Sequence, residues 1–349
     1  VSRTPTAAAL RWLVSGYYGA GNLGDEALLA GLVAALRRRG VERIAVLSAS
    51  PHATRALHGV EAHRRVAGLP AALMASDVVV SGGGGLLQDS TSRRSLDYYL
   101  GVIGLARRLR RRVVVYGQSL GPLSEAGRGR VARALRGVPL GLRDEPSLDL
   151  ARQLGLTATP LADAALLLPP PRERRRDALV LAPRGDQPLA TEALLRLAEH
   201  ALRQGGRVQA VALQAGHDGG EVARLRAALP AIEAPPIDTP AAALELLAGA
   251  RLVASVRLHG LILATLAAAP HVGLSYDPKV AGFASRSLAR CAPAPRSPAE
   301  LNDASATLRA AWDQPHVDRA ARHALLAAAE AGVDWLVSSA LHGRSASSA

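Results

Sequence analysis

Five side chains in the second half of this 349-residue chain are of the right types to hold and protonate a small anion: Arg184, His217, Arg257, His259 and Lys279. Each lies just after a short apolar run that reads as a buried strand, in Pro183-Arg184-Gly185-Asp186, Gln214 to Asp218, Val256 to Gly260 and Ser275 to Lys279. Guanidinium groups pair in two-point fashion with phosphate or carboxylate, so two arginines and a lysine form a clamp for a compact, multiply charged ligand. Gly260 leaves backbone N–H groups accessible at the start of the following helix, which adds to the same anion site. His259 is the acid/base candidate, because an imidazole with an ordinary pKa of about 6.5 exchanges protons near neutrality. Lys279 is the only lysine beside 41 arginines. A compact ammonium does what a broad guanidinium fork does not, although chance retention of a single lysine explains it as well.

The first half offers a different set. Gly16 to Leu29 reads GYYGAGNLGDEALL, an apolar strand from Leu10 to Val14 delivering the chain into a glycine turn and then into a periodic helix. Asn22 in that turn is a candidate substrate-binding residue and Asp25 a candidate catalytic carboxylate. Asp25 also reads as a simple helix N-cap, since a helix start favours negative charge there. The turn does not match the dinucleotide spacing G-x-G-x-x-G, and its acidic end disfavours a pyrophosphate. Two further strand ends carry polar, glycine-rich turns: Ser81 to Gly85 after Val78 to Val80, and Gly117 to Pro122 after Arg112 to Tyr116. Gly83, Gly84 and Gln118 are the substrate-binding candidates in them, because open parallel sheets bind ligands beyond the carboxyl ends of their strands.

The elements that must position these residues alternate strand and helix throughout. The segment Pro169-Pro170-Pro171 followed by RERRR interrupts the pattern and reads as a linker. The expected division is therefore 1–168, an acceptor-side Rossmann-like domain; 169–177, linker; 178–342, a donor-side Rossmann-like domain with closing helices; and 343–349, a tail. The expected fold class is α/β, two Rossmann-like domains facing across a cleft, as in GT-B-type transferases.

Composition narrows the function. A hydrophobic content of 49% with 20% charged residues is that of a globular enzyme, and no uninterrupted apolar run reaches a membrane span of about 18 residues. The opening residues lack the pattern of a signal peptide, and the single cysteine, Cys291, cannot form an internal disulfide, so a cytoplasmic location is expected. The net charge of +13 fits an anionic substrate or bilayer surface, but nucleic acid is disfavoured by an aromatic content of 3%, too low for stacking platforms. No metal-ligand spacing is present, and no cofactor is expected.

The stretches GYYGAGNLGDEALL, SGGGGLLQD, YGQSLGPL, the Arg184 turn, SVRLHG and SYDPKVAGF resemble the polysaccharide pyruvyl transferase family, of the CsaB cell-wall type. The resemblance runs from Leu10 to about residue 340. It implies phosphoenolpyruvate as co-substrate and transfer of its pyruvyl group to a sugar as a 4,6-linked ketal, with phosphate released. It implies as acceptor an N-acetylmannosamine of a lipid-linked cell-wall polymer, whose ketal anchors S-layer-type proteins, and work at the inner face of the membrane. Phosphoenolpyruvate binding is carried over to Arg257, an acid/base role to His259 and, through a shorter match, binding to Arg184. A nucleotide-sugar glycosyltransferase of the same fold class is the alternative.

Overall fold

The computed structural model describes residues 6–90, 92–172 and 176–342. The expected tail and residues 173–175 of the expected linker lie outside them. In chain order the elements are β1 (Trp12–Tyr18), α1 (Leu23–Arg38), β2 (Ile44–Ser48), α2 (Pro51–His58), β3 (Glu61–Arg64), α3 (Leu69–Met74), β4 (Val78–Leu87), α4 (Arg93–Arg108), β5 (Arg112–Leu120), α5 (Glu125–Leu135), β6 (Leu140–Leu142), α6 (Glu145–Gln153) and β7 (Thr159–Pro160). There follow β8 (Ala178–Ala182), α7 (Pro188–Arg203), β9 (Arg207–Ala210), α8 (Ala215–Ala228), α9 (Pro240–Ala248), β10 (Ala250–Ser255), α10 (Leu258–Leu266), β11 (His271–Ser275), α11 (Pro278–Arg286), β12 (Arg290–Pro293), α12 (Pro298–Asp313) and α13 (Arg319–His342).

Two parallel sheets result, each doubly wound with alternating helices. The first has the order β3-β2-β1-β4-β5-β6-β7 and the second β12-β11-β10-β8-β9. Strands such as Val78-Val79-Val80 and Leu179-Val180-Leu181 are fully buried without alternation, as expected where helices cover both faces of a sheet. The order reverses between β1 and β4 in the first sheet and between β8 and β10 in the second. Those switch points are where an open α/β sheet leaves room for a ligand beyond its strand ends.

The chain divides into two compact units. Of the described residues, one comprises 6–20, those of Asp25–Leu168 and 327–342; the other comprises Gly21–Gly24 and those of Pro169–Leu326. This differs from a division at a single linker in two places. The tetrapeptide Gly21–Gly24 groups with the second unit because Leu23 N donates to Leu213 O at 2.9 Å and Asn22 forms an isolated bridge with Gln214. The later half of α13 groups with the first unit because its buried stripe Ala329, Val333, Leu336 and Ala340 has the spacing of one helix face. Arg39 clamps Asp334 at 2.7 Å and Glu330 at 3.0 Å, and Arg112 Nη1 donates to the terminal carbonyl of Ala340 at 3.0 Å. Among the described helices α13 alone is long and apolar enough, by length and composition, to cross a membrane. Glu330 and Asp334 interrupt that apolarity and are the very residues paired with Arg38 and Arg39.

The glycine-rich stretches also differ from expectation. Gly16 lies inside β1, and Gly82 to Gly85 lie inside β4 rather than in a loop beyond it. Gly117 and Gln118 likewise belong to β5.

Candidate functional site

In the second unit the strand-end residues converge at the switch point. Ser255, the last residue of β10, accepts from Arg257 N at 3.0 Å and donates to Arg257 O at 2.8 Å, which turns the chain sharply and sets Arg257 as the N-cap residue of α10. Ser275, the last residue of β11, repeats the device, donating to Asp277 O at 2.9 Å ahead of α11. Asp277 then caps α11 by accepting from Lys279 N at 3.0 Å.

The cations form a linked array. Arg257 Nε donates to Asp218 Oδ2 at 3.0 Å, its Nη2 donates to Asp218 Oδ1, and Nη2 lies 3.1 Å from His217 Nδ1. Arg184 stacks on the Tyr276 ring, 4.3 Å from its centroid, and pairs with Asp186 through Nε at 2.6 Å. Lys279 approaches the same ring at 6.0 Å and pairs with Asp277 at 3.0 Å. Burial works against the charge of Arg184, but Asp186, Tyr276 and Asp218 more than offset it and hold its pKa above the usual value. The Arg184 guanidinium in turn outweighs burial at Asp186 and holds that carboxyl below its usual range. The backbone of Gly185 meets that of His217 so closely that any Cβ there would overlap the His217 carbonyl. Arg184, His217, Arg257 and Lys279 are therefore one contact network on a single sheet edge.

His259 joins this unit from the first turn of α10 and is part-buried. Its ring lies against Gly24, where a built Cβ would overlap Nδ1. Asn22 Oδ1 accepts from Gly24 N at 3.1 Å, so Asn22, not Asp25, caps α1. Asn22 thus shapes the turn on which the imidazole rests.

In the first unit Asp25 is 6% exposed, on the first turn of α1, and its Oδ1 would sit 2.9 Å from a Cβ on Gly84. Gly84 has φ +87°, a conformation that favours glycine. Gly83 meets Leu28 instead, with a built Cβ 2.9 Å from its Cδ1. The close approach that these glycines allow is thus to α1 itself. Tyr18 explains Gly16 and Gly82: its ring fills the space a Gly16 Cβ would need, and its hydroxyl donates to Gly82 O at 3.3 Å. Burial, reinforced by the Asp25 carboxylate, pushes the Tyr18 phenol well up, so it stays a neutral donor. Gln118 is fully buried and its amide donates to Ser81 Oγ at 2.8 Å, so it braces β5 against β4 within the sheet.

Sequence reasoning missed several participants. Asp218 and Tyr276 organise the cations. Glu26 is another: it accepts from Gly19 N at 2.7 Å and pairs with buried His58 at 2.8 Å, locking the turn before α1 to α2. Arg143 joins Asp163 at 2.6 Å and Ser119 at 3.0 Å in a buried cluster beside Asp144. An acid in a helix first turn is ordinary dipole chemistry and an isolated tyrosine is ordinary core, so only the Asp directly following His217 offered a signal. Among the described residues no group of three or more His, Cys, Asp and Glu is arranged to hold a metal ion.

Solved structures share the fold. A glycosyltransferase from Rickettsia africae superposes with TM-score 0.63 at 9% identity, covering 96% of this chain and 100% of that one. A UDP-GlcNAc 2-epimerase from Methanocaldococcus jannaschii, in complex with UDP-GlcNAc and UDP, gives 0.61 at 10% identity and covers 93% and 98%. The Anabaena protein HepE, in complex with UDP and glucose, gives 0.57 at 13% identity and covers 95% of each chain. These likenesses establish a two-unit α/β fold of GT-B type and nothing about substrate. No curated protein matches the sequence. The polysaccharide pyruvyl transferase profile, however, matches residues 22–278, which run from the Asn22 turn through Arg184, His217, Arg257 and His259 and end one residue before Lys279, and on that match the chain belongs to the polysaccharide pyruvyl transferase family, a family of transferases.

Proposed function

We propose that the protein transfers the pyruvyl group of phosphoenolpyruvate to two hydroxyls of a sugar, forming a cyclic ketal and releasing phosphate. The observation that carries this reading is the array of Arg184, Arg257 and Lys279 on one switch-point edge, with His259 on the adjoining helix turn. Phosphoenolpyruvate is small and carries a carboxylate and a phosphate, the two groups that guanidinium and ammonium pair with best.

In this reading Arg184, Arg257 and Lys279 hold the two anionic groups, with His217 at the edge of the clamp. Protonated His259 delivers its proton to C3, which becomes the methyl group, while C2 acquires positive character. A sugar hydroxyl oxygen bonds to C2 and gives its proton to solvent. The C2–O bond to phosphate then breaks, phosphate leaves with the bonding pair, and the second hydroxyl closes the ketal on C2, its proton passing out with the phosphate or to solvent. The fixed cations favour the departing negative charge, the usual service of a preorganised site. The acceptor proposed is an N-acetylmannosamine of a lipid-linked cell-wall polymer, ketalised at its 4- and 6-hydroxyls to anchor S-layer-type proteins. The net charge of +13 supports work at an anionic inner membrane face, the proposed location.

Phosphate release from phosphoenolpyruvate, measured with lipid-linked aminosugar acceptors, tests the reading. Release that requires acceptor is expected, and His259→Gln and Arg257→Ala should each lower turnover by about 10²–10⁴-fold, the usual worth of a general acid or charge clamp. The same assay with UDP-glucose distinguishes the alternative: consumption of the nucleotide sugar with no phosphate release from phosphoenolpyruvate would replace this proposal with glycosyl transfer.

A further inference from the structure

We infer that Asp218 is a positioning residue that fixes the plane of the Arg257 guanidinium before any ligand arrives; its kinetic consequence rests on the reading above. Asp218 is fully buried. Its two oxygens receive Arg257 Nε at 3.0 Å and Arg257 Nη2, and also the backbone N–H groups of Gly185 at 3.3 Å and Gln214 at 3.0 Å. Three separate segments, after β8, after β9 and after β10, thus meet on one carboxylate. His217 Nδ1 lies 3.1 Å from Asp218 Oδ1 and 3.1 Å from Arg257 Nη2, closing the cluster on its outer side.

The other two cations are held differently. Arg184 and Lys279 pair with Asp186 and Asp277, whose side chains are 50% and 32% exposed and can turn into water when a ligand competes. Asp218 has no such escape, and its remaining capacity is filled by backbone donors that belong to the fold. A side-on pair through Nε and Nη2 leaves one rotational setting for the guanidinium. The N–H groups of Nη1, taken by neither Asp218 nor His217, are therefore presented in a single orientation. Arg257 acts as a fixed docking point and Arg184 and Lys279 as adaptable ones.

Asp218→Asn keeps the shape but turns one acceptor into a donor facing Arg257. We expect its KM for phosphoenolpyruvate to rise at least about tenfold with kcat within about threefold. Arg257→Lys should do the same, and the double variant should be no worse than the poorer single, because residues acting through one contact are not additive. Effects that multiply, or a KM within about twofold of the parent, would overturn the inference. A second readout needs no substrate. The Arg257 Nε–H resonance, assigned by its loss in Arg257→Lys, should be sharp and protected from exchange in the parent, lost in Asp218→Asn and unchanged in Asp186→Asn. An unchanged signal in Asp218→Asn would also sink it. If Asp218→Asn does not fold, Asp218→Glu, which moves the charge by one methylene, carries both readouts. Expected resonances without any turnover of phosphoenolpyruvate would leave the positioning role standing and remove the proposed reaction instead.

Discussion

His259 rests on a residue that has no side chain, and that is a condition of its placement. A methyl group on Gly24 would occupy the volume of the imidazole Nδ1, while the turn itself is held by Asn22 and by the bond from Leu23 N to Leu213 O. Gly24→Ala should therefore displace the ring rather than the turn. We expect turnover to fall at least about tenfold, a displacement effect of the size that misplacing a reacting group by about 1 Å produces. The unfolding temperature should shift by only a few degrees, measured by calorimetry beside a phosphate-release assay. Arg184, Arg257, His259 and Lys279 were legible in the sequence because each charge follows a run of apolar residues and must emerge where a buried strand ends. Asp218 was less so: its place directly after His217 was the one local signal, while the donors from Gly185 and Arg257 that give it its role lie 33 and 39 positions away in the chain.

At the scale of the element, glycine marked the right places for a different reason. The chain was expected to leave the sheet at Gly16 and again at Ser81, because glycine-rich runs after apolar strands read as turns. Instead β1 and β4 continue, and the missing side chains make room for Tyr18, whose ring lies over Gly16 and whose hydroxyl reaches Gly82. The helix-to-strand alternation was readable from apolar periodicity, whereas short β3 and β12, with only partly buried patterns, gave no comparable signal. Gly16→Ala tests the packing account: the added methyl must move a buried aromatic ring, and overpacking of this kind costs about 1–3 kcal/mol. Urea unfolding should show a lower midpoint with an unchanged slope. A midpoint equal to the parent's would mean that Tyr18 relocates freely, against its complete burial.

For the whole molecule, acid should act on the second unit through His271. Burial holds this imidazole below its ordinary pKa, with partial compensation from the Ala269 carbonyl that Nδ1 faces at 2.9 Å. Thr265 and Ser287 hydroxyls lie 3.2 and 3.1 Å from Nε2, so the neutral ring is fully bonded. In the unfolded chain the same histidine takes up a proton near pH 6.5, so between that value and the lower folded pKa the unfolded state binds more protons. Its stabilising contribution is complete above about pH 6.5 and is lost as pH falls below it. Thermal unfolding followed from pH 7.5 to 5 should show a steeper fall for the parent than for His271→Asn, and parallel curves would contradict the assignment.

The four residues Gly21–Gly24 have a practical corollary for anyone building hybrid enzymes from this family. The second unit cut out as one uninterrupted stretch would leave behind the tetrapeptide that seats its own imidazole, because that piece is separated from Pro169 by the 144 residues Asp25–Leu168 of the other unit. Swapped halves should regain function only when residues 21–24 travel with them as a separate graft.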